Sequence, residues 1–258
     1  MGLLEGKIAL VTGVANKRSI AWGIARAFDR EGAMLILSYQ NERLKENLDK
    51  LIGDLHTPPL VLPLDVTDDT SLASFSDNLR QTYDKLDVLV HSVAYAKTED
   101  LSGRFLDTSR DGFQLAQDVS AYSLTALVRE LHPLLQAAGR ASVMAMTYQG
   151  SVRVMPHYNV MGVAKAALEA SIRYLAFDLG REGIRVNAIS AGPIKTLAAA
   201  GVKGISSALQ NTVERAPIPE KITTEDVGHA AVFLASAWAE RITGHVLYVD
   251  SGFHIMGF

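Results

Sequence analysis

Short apolar runs alternate with longer amphipathic stretches along almost the whole chain. Seven runs rich in aliphatic and β-branched residues read as strands, at positions 7–12, 33–38, 60–64, 86–91, 141–146, 185–189 and 245–249. Few polar residues interrupt them, which marks strands covered on both faces, as in a parallel sheet. Between them, apolar positions recur at helical spacing over 20–30, 41–51, 71–83, 117–136, 158–181 and 225–236, which predicts amphipathic helices. Thr67 and Thr224 stand where helices should open, and Gly32 and Gly183 where they should stop. Repeated βαβ units of this kind predict an α/β fold, a Rossmann-type doubly wound parallel sheet with helices on both faces. No internal repeat, low-complexity segment or linker divides the chain, so residues 1–258 are expected to form a single dinucleotide-binding domain.

Composition narrows the chemistry. Hydrophobic residues make up 48% of the 258 positions, enough for a large core, and disorder is not expected. A net charge of -3 gives no electrostatic case for nucleic acid or an anionic membrane. The absence of cysteine excludes disulfides and thiolate catalysis, and the scattered histidines have no ligand-like spacing, so no metal is expected. The first residues carry no secretory block, Gly2 is not followed by Ser or Thr at position 6, and no apolar run is long enough to span a bilayer. A cytoplasmic protein acting on small molecules is the expectation.

The strand ends carry candidate cofactor contacts. The first strand runs into Gly13, and the next helix begins after Ser19 at Ile20. A turn opening on glycine lets the backbone approach a pyrophosphate, whose charge meets the amides of a helix N-terminus. The segment lacks the full glycine fingerprint; Gly23 is a later glycine suited to helix packing. Gln40 closes the second strand, where such folds select between adenosine riboses. No basic residue lies at 38–41, which favours NADH, whereas Arg43 one turn later keeps NADPH open. Asp65, followed by Val66, ends the third strand and has two readings, an acceptor for an adenine amino group or a cap for the next helix. Ser92 and Val93 follow the fourth strand and leave room for a cofactor.

Tyr158 and Lys165 carry the candidate chemistry, with Tyr148 ten positions upstream. On a helix, positions seven apart differ by about 20° in direction and about 10 Å along the axis, so both side chains point into one cleft. That suits a phenol at a reacting oxygen and an ammonium on a bound cofactor. Taken singly, such a tyrosine or lysine is more often packing or solvated; the matching cofactor segments reverse that reading. His91 and His157 read as structural or polar-rim residues, and Met144, Met146, Met155 and Met161 as core or pocket wall.

The turn from Gly13 through Ser19 and Ile20, with Gln40, Asp65, Val66, the Tyr148/Tyr158/Lys165 set and the run 186–194, resembles the enoyl-acyl-carrier-protein reductases of bacterial type II fatty-acid synthesis. These are a divergent branch of the short-chain dehydrogenase/reductase superfamily, and the likeness runs from Leu4 to Phe258. Commoner members of the superfamily place lysine four residues after the tyrosine; here that position is Gly162 and the lysine comes at seven. The resemblance implies hydride transfer from NADH to a trans-2-enoyl thioester on acyl carrier protein. It makes Tyr158 the donor to the thioester oxygen, Lys165 the ligand of the nicotinamide ribose, and Tyr148 a wall of the acyl pocket and a weaker candidate for proton relay. It also implies a substrate-binding lid at about 193–211, with Ile194 and Thr196 touching the nicotinamide end, a backbone role for Ala96 at the substrate, and a homotetramer. Tyr95 stands where phenylalanine is common in the family and Thr147 where serine is frequent. A reductase of another activated alkene or carbonyl, and a nicotinamide-binding sensor without turnover, remain the alternatives.

Overall fold

In the computed structural model, which describes residues 2–196 and 205–257, seven parallel strands form one sheet in the order β3-β2-β1-β4-β5-β6-β7. They are β1 Ile8–Val11, β2 Met34–Tyr39, β3 Leu60–Pro63, β4 Val88–His91, β5 Ser142–Thr147, β6 Arg185–Ala191 and β7 Val246–Val249. Alternation along each strand separates two cores. Ile8, Leu10, Leu89, Val143, Ala145, Val186 and Ala188 face one side, and Ala9, Val11, Val88, Val90, Met144, Met146, Ile189 and Ala191 the other. The all-apolar runs seen in the sequence are therefore two interleaved apolar faces.

The helices are α1 Ile20–Arg30, α2 Glu42–Asp49, α3 Asp69–Thr82, α4 Thr98–Leu101, α5 Arg110–Gln117, α6 Ser123–Ala137, α7 Asn159–Leu179, α8 Ile205–Arg215 and α9 Thr224–Ala235. The first core is covered by α3, α6 and α7, through residues such as Phe75, Leu131 and Ile172. The second is covered by α1 and α9, through Ile24, Phe28, Val227 and Ala231. Close approach of α1 to α9 depends on glycine: a Cβ at Gly23 would lie 2.4 Å from the Thr224 carbonyl oxygen, and one at Gly228 2.9 Å from that of Gly23. The packing role read for Gly23 is thus realised.

Several boundaries move. Thr67 does not open α3; Asp68 does, accepting from the Thr70 amide, because its carboxylate reaches the free amides directly. The cap of α9 is Thr223, one residue before Thr224, and with Asp226 it forms a reciprocal capping box. The stretch read as one helix over 117–136 is the end of a longer unit in which α5, a π turn at Asp118–Tyr122 and α6 follow without a break. Only Gly112 and Ala116 of α5 are buried, and the helix is only 8 residues long and polar on average. Tyr158 stands at the N-cap of α7, not within the helix, between His157 at φ 62° and Asn159 at φ 33°. Gly32 and Gly183 take the left-handed conformation that ends helical segments.

Candidate active site

Every candidate site segment follows the carboxyl end of a parallel strand, and so all of them lie along one edge of the sheet. The chain starts at β1, moves outward to β2 and β3, and returns to place β4 on the other side of β1. The crevice at that reversal is where doubly wound sheets bind ligands. Gly13 and Ser92 meet there. With φ at +83°, Gly13 brings its backbone so near the Ser92 carbonyl that a Cβ would lie 2.0 Å from the oxygen. Thr12 ties the two strand ends together, its hydroxyl donating to the Val90 carbonyl at 3.0 Å and accepting from the Ser92 amide at 3.2 Å. Ser19 caps the start of α1 without a side-chain bond to the helix; its hydroxyl donates to the Asn16 carbonyl at 2.7 Å. Ile20 is the first helical residue. A bare-backbone turn leading into a helix N-terminus is suited to a pyrophosphate.

The two outer strands bring Gln40 to Asp65. The Gln40 amide donates to Asp65 Oδ2 at 3.2 Å, while Thr67 donates to Oδ1 through its amide at 2.9 Å and its hydroxyl at 2.7 Å. Desolvation acts to raise this carboxyl, but the Thr67 and Gln40 bonds outweigh it and hold it below the usual range. Asp65 therefore forms a turn with Thr67 and is not the helix cap. The Val66 side chain packs into the core. Val93 packs on the same core, and Ile194 on the opposite one. The Thr196 amide donates to the Ile194 carbonyl at 2.8 Å. Of the lid read at 193–211, residues 197–204 lie outside the described residues, and α8 occupies the rest from Ile205. Ala96 is part-buried in the loop after β4, next to an exposed Tyr95 whose backbone is held on both sides by the Ser120 hydroxyl.

Tyr148 and Tyr158 come together, ring centroids 5.1 Å apart, edge to face at 71°. Two glycines make the contact possible. A Cβ on Gly150 would lie 2.5 Å from the Tyr158 ring, and one on Gly162 would lie 2.8 Å from the Gly150 carbonyl oxygen. Burial drives the Tyr158 phenol well above the ordinary tyrosine value, and the neighbouring Tyr148 and Glu169 oppose its ionisation further. Tyr148 is also raised by burial. Both phenols are neutral donors at neutral pH. Lys165 is 5% exposed, and its ammonium donates to the Met146 carbonyl at 2.8 Å, at the end of β5. Desolvation brings it down to about 8, with Glu169 resisting the fall.

One buried polar group escaped the sequence reading, and a second, His91, takes the structural one of its two readings. Glu169, one turn beyond Lys165, accepts from the Thr147 hydroxyl at 2.6 Å. His91 is fully buried rather than at a rim, with Nε2 2.7 Å from the Ser123 hydroxyl, which itself donates to the Val119 carbonyl at 2.7 Å. That hydroxyl proton being engaged, the imidazole donates from Nε2, and Nδ1 has no partner among the described residues. Burial and the Lys165 charge push His91 down to about 3. The spacing of Lys165 and Glu169 was the one available signal for the first; His91 closes a run read as covered on both faces, and its structural reading fits its burial.

Residues 13–254 match the model of a family described as enoyl-(acyl carrier protein) reductase. The enoyl-[acyl-carrier-protein] reductase [NADH] FabI of Bacillus cereus is 51% identical over 258 residues, covering all of both chains. That of Aquifex aeolicus is 49% identical over 257 residues, covering 100% of this chain and 94% of the relative. A crystal structure of the Bacillus cereus enoyl-acyl carrier protein reductase with NADP+ and indole naphthyridinone superposes with a TM-score of 0.97 at 50% identity, covering all of both chains.

Proposed function

The chain belongs to the enoyl-(acyl carrier protein) reductase family and is an NADH-dependent enoyl reductase, and we propose that Tyr158 and Lys165 carry its reaction. The reaction saturates a trans-2-enoyl thioester on acyl carrier protein during fatty-acid elongation. The observation that carries the residue assignment is the neutral Tyr158 phenol held against Tyr148 by Gly150 and Gly162, with the buried Lys165 ammonium seven residues on.

The residues fit a dinucleotide. Gly13 offers a turn in which any Cβ is excluded, α1 presents its first amides, and Asp65 keeps acceptor capacity beside Gln40. NADH, when bound, supplies the hydride to the β-carbon. Negative charge then develops on the thioester oxygen, and Tyr158 donates a hydrogen bond to it from a site where water competes little. Lys165, with one proton committed to Met146, directs its others to the nicotinamide ribose. Tyr148 walls the acyl pocket beside Tyr158 and is the second candidate for moving a proton. Ser19, Ile20, Val66, Ser92, Val93, Ile194 and Thr196 line the cofactor, and Ala96 the substrate. An ionised Asp65 next to Gln40, with no basic residue at 38–41, favours NADH over NADPH.

We read the whole chain as one reductase domain acting in the cytoplasm as a homotetramer. The single sheet supports the first. Tyr174 at 75% and Phe177 at 83% exposure leave two large aromatic groups in solvent on α7, which supports a second copy docking there. Among the described residues no helix is long and apolar enough to cross a membrane.

The test follows loss of nicotinamide absorbance with a medium-chain trans-2-enoyl thioester, comparing NADH with NADPH and wild type with Tyr158→Phe. Loss of one oxyanion donor should slow turnover on the order of 10²-fold. Near-normal turnover in Tyr158→Phe would remove the tyrosine from its role.

A further inference from the structure

Glu169 is a buried carboxylate to which the mechanism above gives no task. It is 5% exposed and sits four residues after Lys165, on the same face of α7. The order lysine then glutamate is the less favourable one for an isolated helix, so helix stability does not explain the pair. A carboxylate in the interior is costly unless it is partnered. Its partner is Thr147, whose hydroxyl donates to Oε1 at 2.6 Å. Thr147 adjoins Met146, whose carbonyl accepts from Lys165 Nζ at 2.8 Å. Two successive turns of α7 thus grip two successive residues at the carboxyl end of β5.

We propose that Glu169 is a positioning residue for Lys165: it fixes the end of β5 through Thr147, next to the Met146 carbonyl that holds Lys165 Nζ, and sets a negative charge one helical turn from the ammonium that meets the cofactor ribose. The proposal rests on the ribose role given to Lys165 above. The surrounding groups leave this task to Glu169. His91 on β4 is neutral, and Tyr148 and Tyr158 are neutral phenols. Tyr248 on β7 is raised by burial and by Glu169, Asp250 beyond it is engaged by His254 through Nδ1 at 2.9 Å, and the Arg153 cation acts on Tyr248. Against these, Glu169 is the group that favours the charged form of Lys165. The same carboxylate adds to burial and Tyr148 in disfavouring loss of the Tyr158 proton.

The experiment measures NADH affinity by fluorescence titration between pH 6 and 9.5 for wild type, Glu169→Gln and Glu169→Asp, alongside thioester reduction by wild type. For wild type, affinity should hold to about pH 8 and then fall as Lys165 loses its proton. In Glu169→Gln the fall should begin at least about one pH unit lower, giving about tenfold weaker binding at pH 8 that recovers near pH 6. Glu169→Asp, which keeps the charge, should stay close to wild type. A Glu169→Gln profile with the wild-type inflection, or weakened equally at every pH, would overturn the proposal. Should Glu169→Gln fail to fold, the lysine titration of the wild type, followed by carbon NMR at Lys165 Cε, decides. A Lys165 already neutral at pH 7 refutes a charge held by Glu169. Failure of wild type to reduce the thioester with NADH would instead overturn the catalytic assignment, a result distinct from any of these.

Discussion

Lys165 is held at a cost to the protein that carries it. Its folded value near 8 lies below the ordinary 10.5, so between those pH values the unfolded chain binds a proton that the folded chain does not. Stability of the cofactor-free protein should therefore rise with pH across that window, by about 3 kcal/mol if the whole shift is realised. NADH affinity should fall over the same window, because the ribose ligand loses its charge. Lys165→Met should be more stable than wild type at pH 7 and lose this slope, while binding NADH about tenfold or more weakly. Thermal melts from pH 7 to 10 with and without NADH check both signs, and a wild-type slope unchanged in the variant would count against them. Residues of this kind divided sharply in legibility. Tyr158, Lys165, Gly13 and Asp65 stood out because spacing or position at a strand end marks them, although Tyr158 lies at the N-cap and not inside the helix. Glu169 did not, because burial of a polar side chain is decided by which helices cover it.

At the level of elements, strands were legible almost to the residue, since both of their faces are apolar. Helix ends were less so. Short polar side chains compete for the same free amides, and Asp68 and Thr223 were chosen over neighbours one residue away. α5 escaped because it is only 8 residues long and polar on average, and the π turn after it has no signature in composition. The turn between β1 and α1 was only partly legible: its glycine was visible, but its contact with Ser92 joins loops 79 residues apart. That turn yields a sharp expectation. Gly13→Ala would place a methyl group 2.0 Å from the Ser92 oxygen at a φ that alanine rarely adopts. The β1–β4 crevice must open, with strain of about 1–3 kcal/mol or more. NADH affinity should drop about tenfold or further, and the melting temperature should fall. Calorimetric titration with unchanged affinity would mean that the cofactor does not use this turn.

The whole molecule places six strand ends along one sheet edge, so chemistry from residue 13 to residue 196 is gathered without any helix having to bend toward it. Its opposite concern is the apolar face of α7. Phe177→Glu sets a charge on an 83% exposed aromatic position and should leave the fold intact while breaking the assembly proposed above. Sedimentation should show smaller species than wild type; an unchanged assembly would move the interface elsewhere. The sequence announced the sheet but left assembly to resemblance, because exposure of Tyr174 and Phe177 is visible only once α7 is docked. The contact between Gly150 and Gly162 reaches furthest. In commoner relatives the lysine occupies the place of Gly162, yet here any side chain at that place begins 2.8 Å from a carbonyl oxygen of the turn beneath the tyrosines. A lysine four residues after Tyr158 would therefore require that turn to be rebuilt, so the spacing of seven and the turn that carries the two tyrosine rings are tied to each other through a single missing methyl group.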